Sequence, residues 1–300
     1  MRLLVTGAGG QVGRELARSL QVLGEVVALQ RADCDLARPA TLAPLVARVC
    51  PDVIVNAAAH TAVDRAEGEP ELAHTINAEA VGALAAAARA QGALLLHYST
   101  DYVFDGAKAG AYTETDATNP LGVYGRTKLA GEAALRDSGA DYLTLRTTWV
   151  YAARGKNFLR TILRLAQERE ELKIVADQHG APTWARNLAD VTAHIVRQAQ
   201  AERRAGVFAP GLFHCSAAGT TSWHGFAEEI VRLARLRLPE GAIRCQRILP
   251  IATEAYPTPA QRPKNSMLSN EKLYARFGLR LPQWQLALAT CFDELADLPG

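Results

Sequence analysis

Short apolar runs alternate with helical patterns through the first half of the chain. The runs at residues 2–5, 26–29, 53–57, 93–98 and 142–147 predict buried strands. Residues 12–23, 41–49, 71–90 and 120–135 carry the apolar spacing of helices between them. Strands that alternate with long helices form right-handed βαβ units, whose parallel sheet is covered on both faces. The pattern therefore predicts an α/β fold with a doubly wound parallel sheet.

The second half of the chain is less regular. Residues 157–169 and 187–200 have helical spacing, and residues 213–216 form a candidate strand. From about Leu238 onward prolines recur, which is typical of short elements joined by long connections. We expect residues 1–150 to form the main domain, with later segments near 187–216 interleaved. Residues 151–300 should form mainly a smaller C-terminal lobe.

Charge and cysteine content exclude several classes of function. The 300 residues include 33 Lys and Arg against 31 Asp and Glu, so no net field favours nucleic acid or a membrane as partner. Five scattered cysteines without a CxxC pair argue against both a disulfide framework and a zinc site. The apolar N-terminal run is too short for a signal peptide, and no apolar stretch is long enough to span a bilayer. We expect a cytoplasmic protein.

A glycine-rich turn follows the first predicted strand and opens the first helix. In TGAGGQVG, Gly7, Gly10 and Gly13 lie three residues apart, and Val12 stands where a GxGxxG motif has its third glycine. Glycine permits a tight turn, and the N–H groups at the helix N-terminus can bind a pyrophosphate. A turn kept for packing alone is the alternative. The context predicts a Rossmann-type domain that binds NAD(P) within residues 1–150.

The end of the second strand bears on the choice of cofactor. NAD enzymes usually carry an acid there that binds the ribose 2′-hydroxyl, whereas this chain has Gln30 followed by Arg31. An arginine pairs with a 2′-phosphate. The pattern favours NADPH, or use of both NADPH and NADH, unless Arg31 simply faces solvent.

Tyr124 and Lys128 lie four residues apart in a predicted helix, so their side chains share one face. A phenol is a poor acid or base at neutral pH, and a nearby ammonium lowers its pKa. Ser99 and Thr100 end the fourth strand, at the edge where open α/β sheets bind ligands. A surface helix with a chance YxxxK is the alternative. The conjunction predicts a catalytic site with Tyr124, Lys128 and Thr100.

These motifs together resemble the extended short-chain dehydrogenases/reductases, and within them the dTDP-4-dehydrorhamnose reductase family. The resemblance runs nearly end to end, through GAGGQVG, PDVIVNAAAHTAVDRAE, HYSTDYVFDG, PLGVYGRTKLAGE, RTTWVY, DQHGAPT and AYPTPAQRPKNS. YxxxK is found throughout the superfamily. STDYVFDG, AAAHTAVD and GAPT are more specific, and they favour this family over the epimerases and dehydratases with the same fold.

The resemblance implies an oxidoreductase that converts dTDP-4-dehydro-6-deoxy-L-mannose (dTDP-6-deoxy-L-lyxo-4-hexulose) into dTDP-L-rhamnose with NADPH or NADH. This is the last step of dTDP-L-rhamnose biosynthesis, which feeds cell-surface polysaccharide such as lipopolysaccharide O-antigen. Tyr124 would protonate O4, Lys128 would lower the pKa of Tyr124 while holding the nicotinamide ribose, and Thr100 would bond the keto oxygen.

The resemblance also implies a set of binding residues. The cofactor contacts would be Gly7, Gly10, Gln11, Val12, Gly13, Arg31, Asp35, Leu36, Ala59, His60, Thr61 and Tyr98, together with Tyr124 and Lys128. The substrate contacts would be Thr100, Asp101, Trp149 and Arg262, with Arg262 and Lys264 offering charge to the diphosphate. A hydrogen-bonded structural role is the alternative for His60.

Two further inferences concern partners. Family members can hold magnesium between subunits through glutamates, and Glu15 is present, but Arg186 and Gln285 occupy regions where other acids are expected. We therefore predict no metal ligands, and a bridging Mg²⁺ is doubtful. The partner should be a nucleotide sugar, and the resemblance allows a homodimer. A nucleotide-sugar epimerase or dehydratase, or a noncatalytic regulatory subunit, is the alternative to a reductase.

Overall fold

A computed structural model of the chain describes residues 1–296. Its helices are α1 (Gln11–Ser19), α2 (Leu42–Val49), α3 (Val63–Ala66), α4 (Pro70–His74), α5 (Ala80–Gln91), α6 (Val123–Arg136), α7 (Phe158–Glu168), α8 (Ala185–Arg204), α9 (Trp223–Arg237), α10 (Glu271–Phe277) and α11 (Trp284–Ala296). Its strands are β1 (Arg2–Thr6), β2 (Glu25–Leu29), β3 (Val53–Asn56), β4 (Leu94–Thr100), β5 (Tyr142–Thr147), β6 (Val150–Tyr151), β7 (Glu171–Val175), β8 (His179–Gly180), β9 (Thr183–Trp184), β10 (Gly211–His214), β11 (Thr221–Ser222) and β12 (Arg247–Ile251).

Six parallel strands form the central sheet in the order β10-β5-β4-β3-β1-β2. From β1 the chain first winds outward to β2 and then returns to β3 on the other side, so the winding reverses between β1 and β3. The prediction of a Rossmann-type doubly wound sheet is confirmed. In such sheets a ligand crevice opens outside the carboxyl ends of the strands, at the point of reversal.

Alternate residues of the strands supply the cores on the two faces of the sheet. Leu3 and Val5 of β1 pack with Leu188 of α8 on one face. Leu4 packs with Leu84 of α5 on the other face. This alternation follows from the two-residue period of a strand, and it explains why the strands read as continuous apolar runs.

The helical pattern of residues 71–90 is interrupted in the structure. Helix α4 continues through a π-helical turn, Thr75–Glu79, into α5. Such turns are rare and frequently lie at functional sites. Here the turn places the buried Asn77 against the loop after β3, where its side-chain oxygen accepts a hydrogen bond from the His60 N–H at 2.8 Å.

The C-terminal lobe contains more regular structure than the proline-rich sequence suggested. Helices α7, α9 and α11 pack around the buried rings of Tyr151, Phe226 and Trp284. A parallel pair of strands, β7 and β12, lies beside them. The apolar residues of α9 do have helical spacing. The pair β7·β12 joins segments more than 70 residues apart, which local periodicity does not reveal.

Two elements from later in the chain complete the main sheet and the helix layer on it. Strand β10 pairs with β5 in the sheet, and helix α8 packs against helix α1. None of the helices in residues 1–296 combines the length and the apolar character that a membrane crossing requires.

A buried ion pair ties α6 to β5 below the site. Arg146 donates to both carboxylate oxygens of Glu132, at 2.8 and 2.6 Å, and both side chains are at most 6% exposed. The Ser99 hydroxyl donates to the same carboxylate at 2.5 Å. Removing one partner of such a pair leaves an uncompensated buried charge, which costs more than the pair itself contributes.

We expect Arg146→Met to lower the free energy of unfolding by about 3–5 kcal/mol, because Glu132 keeps a buried charge without its partner. The double variant Glu132→Leu/Arg146→Met should lose clearly less of its free energy of unfolding, because neither buried charge remains. Urea denaturation measures both. Arg164→Met, in the exposed pair Arg164–Glu168, is the control and should change stability by no more than about 1 kcal/mol. A double variant less stable than Arg146→Met would contradict this account.

Candidate active site

A cleft of about 740 Å³ opens at the carboxyl edge of the sheet, where the winding reverses. Fifteen of the predicted site residues line it: Gly7, Gly10, Gln11, Val12, Arg31, Asp35, Leu36, Ala59, Thr61, Tyr98, Thr100, Asp101, Tyr124, Lys128 and Trp149. The carboxyl ends of parallel strands meet at one edge, which brings residues from distant parts of the sequence together.

The glycine turn forms the entrance to α1. Gly7 has φ 73°, and a Cβ on Gly13 would lie 2.1 Å from the Gly7 carbonyl oxygen. The turn therefore requires glycine at both positions. Gly10 immediately precedes α1, whose first turn carries no acidic side chain, so the free N–H groups of this turn can donate hydrogen bonds to a pyrophosphate.

Polar side chains after β2 surround the adenosine end of the cleft. Arg31 is 78% exposed, and its Nε lies 3.7 Å from an Asp35 carboxylate oxygen. The Gln30 side chain lies over Gly9. Leu36 is buried beneath this end and offers an apolar contact. The Arg31 guanidinium is thus exposed at the cleft, held there by one long ion-pair contact.

Close packing of α6 brings Tyr124 to the end of β4. A Cβ on Gly125 would lie 2.1 Å from the Tyr102 carbonyl oxygen, so glycine is needed for this approach. The Tyr124 ring packs edge-on against the Tyr102 ring, with centroids 5.4 Å apart. Burial raises the pKa of Tyr124 to about 12, an effect that the Thr100 hydroxyl partly offsets. Tyr124 is therefore a neutral phenol, the form that can donate a proton.

Lys128 lines the cleft, and its hydrogen bonds are made to groups of β4. Its Nζ donates to the Tyr98 carbonyl oxygen at 2.6 Å and lies 3.0 Å from His97 Nε2, and these are its hydrogen-bond partners among residues 1–296. Burial lowers the pKa of Lys128 to about 8. The pKa of Tyr124 is set here by burial, by the Thr100 hydroxyl and by the charge of Asp101. The expected lowering of the tyrosine pKa thus requires Lys128 to move.

Asp101 lies directly after Thr100 and is buried, and its Oδ2 has no hydrogen-bond partner within the described residues. Burial raises the pKa of this carboxyl to about 6, against the hydrogen-bonding effect of Ser266 and Thr100. An orphaned carboxylate oxygen in a cleft is an open acceptor for a ligand hydroxyl.

Two tryptophans form a wall of the cleft. Trp149 has φ 46°, an uncommon value for a residue with a side chain, and its indole stacks on that of Trp223 with centroids 3.6 Å apart. A Cβ on Gly180 would lie 2.7 Å from the Trp149 ring, so the glycine of DQHGAPT makes room for the indole. Stacked rings of this kind offer a flat apolar surface to a sugar.

Three predicted site residues lie outside the cleft. Gly13 shapes the turn without facing the space, since its α-carbon packs on Gly7. The His60 Nε2 atom lies 3.3 Å from a carboxylate oxygen of Glu69. This contact fits the alternative given for His60, a hydrogen-bonded structural role. Arg262 lines a neighbouring cavity and pairs with Asp64 at 2.9 Å. Tyr98 lines the cleft, but its side-chain hydroxyl points into the core and forms a hydrogen bond with the Thr192 hydroxyl.

The structure adds residues that sequence reasoning missed. Trp223, Lys156 and Asn157 line the cleft, and the Asn157 side chain donates to the Gln11 side chain at 2.9 Å, which joins the lobe to the glycine turn. Trp223 also lines a second cavity of about 800 Å³ in the C-terminal lobe, together with Gln178, Tyr256 and Arg262. Asn157 is readable in the sequence as a helix cap, whereas its contact with Gln11 is not.

The residues around Glu15 do not suit a divalent cation. Arg186 Nε lies 3.0 Å from a Glu15 carboxylate oxygen, and the same guanidinium contacts Glu294. Arg18 also pairs with Glu15. Within residues 1–296 no group of three or more His, Cys, Asp or Glu side chains could hold a metal. Arginine supplies the positive charge that a bridging magnesium would bring.

Comparison with known proteins places this site in a family. The model of the family described as "RmlD substrate binding domain" matches residues 1–297. A dTDP-4-dehydrorhamnose reductase from Burkholderia thailandensis is 59% identical over 98% of this chain and 99% of its own length. The chain belongs to the dTDP-4-dehydrorhamnose reductase family. A second member, from Salmonella typhimurium, is 49% identical over 98% of both chains.

A solved structure of the family extends the comparison to the fold. The dTDP-4-dehydrorhamnose reductase of Bacillus anthracis, crystallised in complex with NADP, has a TM-score of 0.89 and 33% identity to this chain. The match covers 98% of this chain and 99% of that one. The family resemblance inferred from the motifs is thereby confirmed.

Asp101 makes stability depend on pH. Its pKa in the folded chain, about 6, lies above the value near 3.9 of an unfolded aspartate, so folding favours the neutral form. The resulting stability is complete below pH 4 and is lost as the pH rises through 6. We expect Asp101→Asn to stabilise the fold at pH 8 by on the order of 1–3 kcal/mol, with little effect at pH 4. Urea denaturation at both pH values measures this, and an equal effect at both would contradict it.

Proposed function

We propose that this chain reduces the C4 ketone of dTDP-4-dehydro-6-deoxy-L-mannose and so forms dTDP-L-rhamnose. The observation that carries the proposal is the placement of Thr100 and Tyr124 in the cleft that the glycine turn opens. Membership of the reductase family, at up to 59% identity over nearly the whole chain, supplies the substrate. Such a reaction is the last step of dTDP-L-rhamnose biosynthesis, which serves cell-surface polysaccharide.

NADPH or NADH would supply hydride to the sugar C4 when bound. The pyrophosphate would lie against Gly10 and on the free N–H groups of Gln11 and Val12, because these residues open α1 at the cleft, while the Gly10 N–H donates to the Gly7 carbonyl oxygen. Arg31 would pair with the 2′-phosphate of NADPH, and the relative from Bacillus anthracis was crystallised in complex with NADP, which carries the same phosphate. Ala59 and Thr61 would lie along the nicotinamide half.

The chain's own residues would handle the proton. The Thr100 hydroxyl would donate to the keto oxygen and so orient the ketone. As negative charge develops on O4, the Tyr124 phenol would transfer its proton there and become a phenolate. Lys128, moved toward the ribose and protonated, would stabilise that phenolate. Asp101 would accept a sugar hydroxyl, and Trp149 would pack on the ring.

The thymidine diphosphate would extend into the C-terminal lobe. The second cavity adjoins the cleft at Trp223 and contains Tyr256 and Arg262. Arg262 is paired with Asp64, and Lys264 with Asp177, so each would exchange a carboxylate for phosphate on binding. This supports a division of labour in which residues 1–150, with segments near 187–216, bind cofactor and residues 151–300 mainly bind substrate.

Two observations bear on the rest of the proposal. All five cysteines are free and four are buried, which fits the reducing cytoplasm that we propose as the location. Thr100, Tyr124 and Lys128 are all in place, which a noncatalytic regulatory subunit does not need. Pairing of two copies into a homodimer stays a prediction from the resemblance.

We expect Tyr124→Phe to lower kcat by about 10²–10⁴-fold with a smaller effect on KM, because it removes the proton donor and leaves the cleft intact. Absorbance of the reduced nicotinamide, followed with NADPH and the dTDP-hexulose, measures the rate.

Tyr142→Phe is the matched control, since Tyr142 begins β5 at the opposite edge of the sheet, and its rate should equal that of the wild type. An epimerase or dehydratase would regenerate its cofactor and show no net oxidation. Absence of oxidation by the wild type, or full activity in Tyr124→Phe, would overturn the proposal.

A further inference from the structure

A chain of hydrogen bonds runs beneath the cleft from the backbone to Lys128. The Ala58 N–H donates to Asn56 Oδ1 at 3.2 Å, and the Thr6 hydroxyl donates to the same oxygen at 2.6 Å. Asn56 Nδ2 lies 3.1 Å from His97 Nδ1, and His97 Nε2 lies 3.0 Å from Lys128 Nζ. The side chains of Thr6, Asn56, His97 and Lys128 are all buried.

The hydrogen bond from Ala58 to Asn56 fixes which atom donates and which accepts in every later bond of the series. A backbone N–H can only donate, so the Asn56 atom that faces Ala58 must be the oxygen. The amide nitrogen of Asn56 then donates to His97 Nδ1, which must carry a lone pair. A neutral imidazole with its lone pair on Nδ1 carries its proton on Nε2. That proton points at Lys128 Nζ.

A donor at His97 Nε2 needs a lone pair on the lysine nitrogen. An ammonium has three donors and no acceptor, so it would face the Nε2–H as a second donor. A neutral amine can accept this hydrogen bond while it donates to the Tyr98 carbonyl oxygen. The geometry is therefore satisfied by uncharged Lys128 alone.

Charges around Lys128 do not reverse this conclusion. The charged and titratable neighbours are Glu132, one turn later on α6, Arg146 of β5, His97 of β4 and Tyr124, one turn earlier on α6. The Glu132 carboxylate favours the ammonium form, but Arg146 binds it through both oxygens. Burial of His97 lowers its pKa well below the ordinary value, so the imidazole stays neutral.

We propose that His97 is a positioning residue that holds Lys128 as a neutral amine below the cleft in the cofactor-free enzyme, and that cofactor binding draws Lys128 to the ribose with uptake of a proton. The inference rests on the proposed function for the cofactor and for the working position of Lys128. Its consequence is that, at pH values above the pKa of Lys128, cofactor binding supplies the cation beside Tyr124.

Proton uptake on cofactor binding tests the proposal directly. Calorimetry of NADP⁺ binding in two buffers with different heats of ionisation gives the number of protons taken up. At pH 8.5, with the pKa of Lys128 near 8 in the free enzyme and the lysine fully protonated in the complex, about 0.75 proton per site should be taken up. In the cofactor-free enzyme the pKa values of Asp101, about 6, and Tyr124, about 12, keep both groups in one state at this pH. Because the Lys128 cation lowers the pKa of Tyr124 once cofactor is bound, the uptake is measured in the Tyr124→Phe background, where no phenol proton can be released.

Three variants separate positioning from a structural role. His97→Leu removes the donor to the Lys128 lone pair but leaves the amine buried, so the uptake should fall measurably below that of the wild type without vanishing. His97→Gln keeps an amide N–H and should restore most of the uptake. His214→Leu replaces another fully buried strand histidine and should leave the uptake unchanged. Equal uptake in His97→Leu and the wild type would overturn the proposal.

The protonation of His97 in the wild-type enzyme gives a second test that needs no variant. Nitrogen-15 chemical shifts of the imidazole should show the Nε2–H form without cofactor, and an Nδ1–H form would overturn the proposal. Both tests use cofactor binding without turnover. A failure to reduce the dTDP-hexulose would therefore count against the proposed function and leave this inference standing.

Discussion

The chemistry proposed for the site depends on the protonation and the position of one buried amine, the side chain of Lys128. Lys128 lies under the carboxyl edge of the sheet, where burial lowers its pKa to about 8 and neutral groups are its hydrogen-bond partners. Tyr124, one helical turn away, is partly buried, and desolvation raises its pKa to about 12, which keeps it an acid. A phenol with so high a pKa transfers its proton readily only when a cation stabilises the phenolate. In the proposed mechanism, the position of Lys128 therefore decides whether Tyr124 can give up its proton.

Much of the fold and part of the site could be predicted from the sequence. Apolar runs and glycines identify the sheet and the turn because these signals are local, and the spacing of Tyr124 and Lys128 places both on one face of α6. Contacts made by the fold are different. His97 lies in a continuous apolar strand and gives no sign that it meets Lys128, and Trp149 and Trp223 are too far apart in sequence for any pattern to join them. The exclusion of His60 and Arg262 from the cleft likewise depends on partners, Glu69 and Asp64, that only the fold brings near.

Family membership indicates the reaction, whereas the geometry of the site indicates which groups can carry it out. Relatives at up to 59% identity indicate which reaction the chain catalyses. The structure shows which groups the site offers. These are the neutral phenol of Tyr124 beside the Thr100 hydroxyl, and the Asp101 carboxyl, whose Oδ2 has no hydrogen-bond partner within the described residues. Near Glu15 and Glu294, the structure places Arg186 between the two carboxylates. Fold alone would not have given the reaction, since unrelated functions share this architecture.

The fate of the hydride tests the central claim most directly. The dTDP-hexulose is incubated with NADPH that carries deuterium at the transferable position of the nicotinamide, and the sugar product is analysed by mass spectrometry and proton NMR. The account predicts dTDP-L-rhamnose with one deuterium on C4, formed in equal amount with NADP⁺. An unlabelled sugar, or a product formed while the reduced cofactor persists, would contradict it.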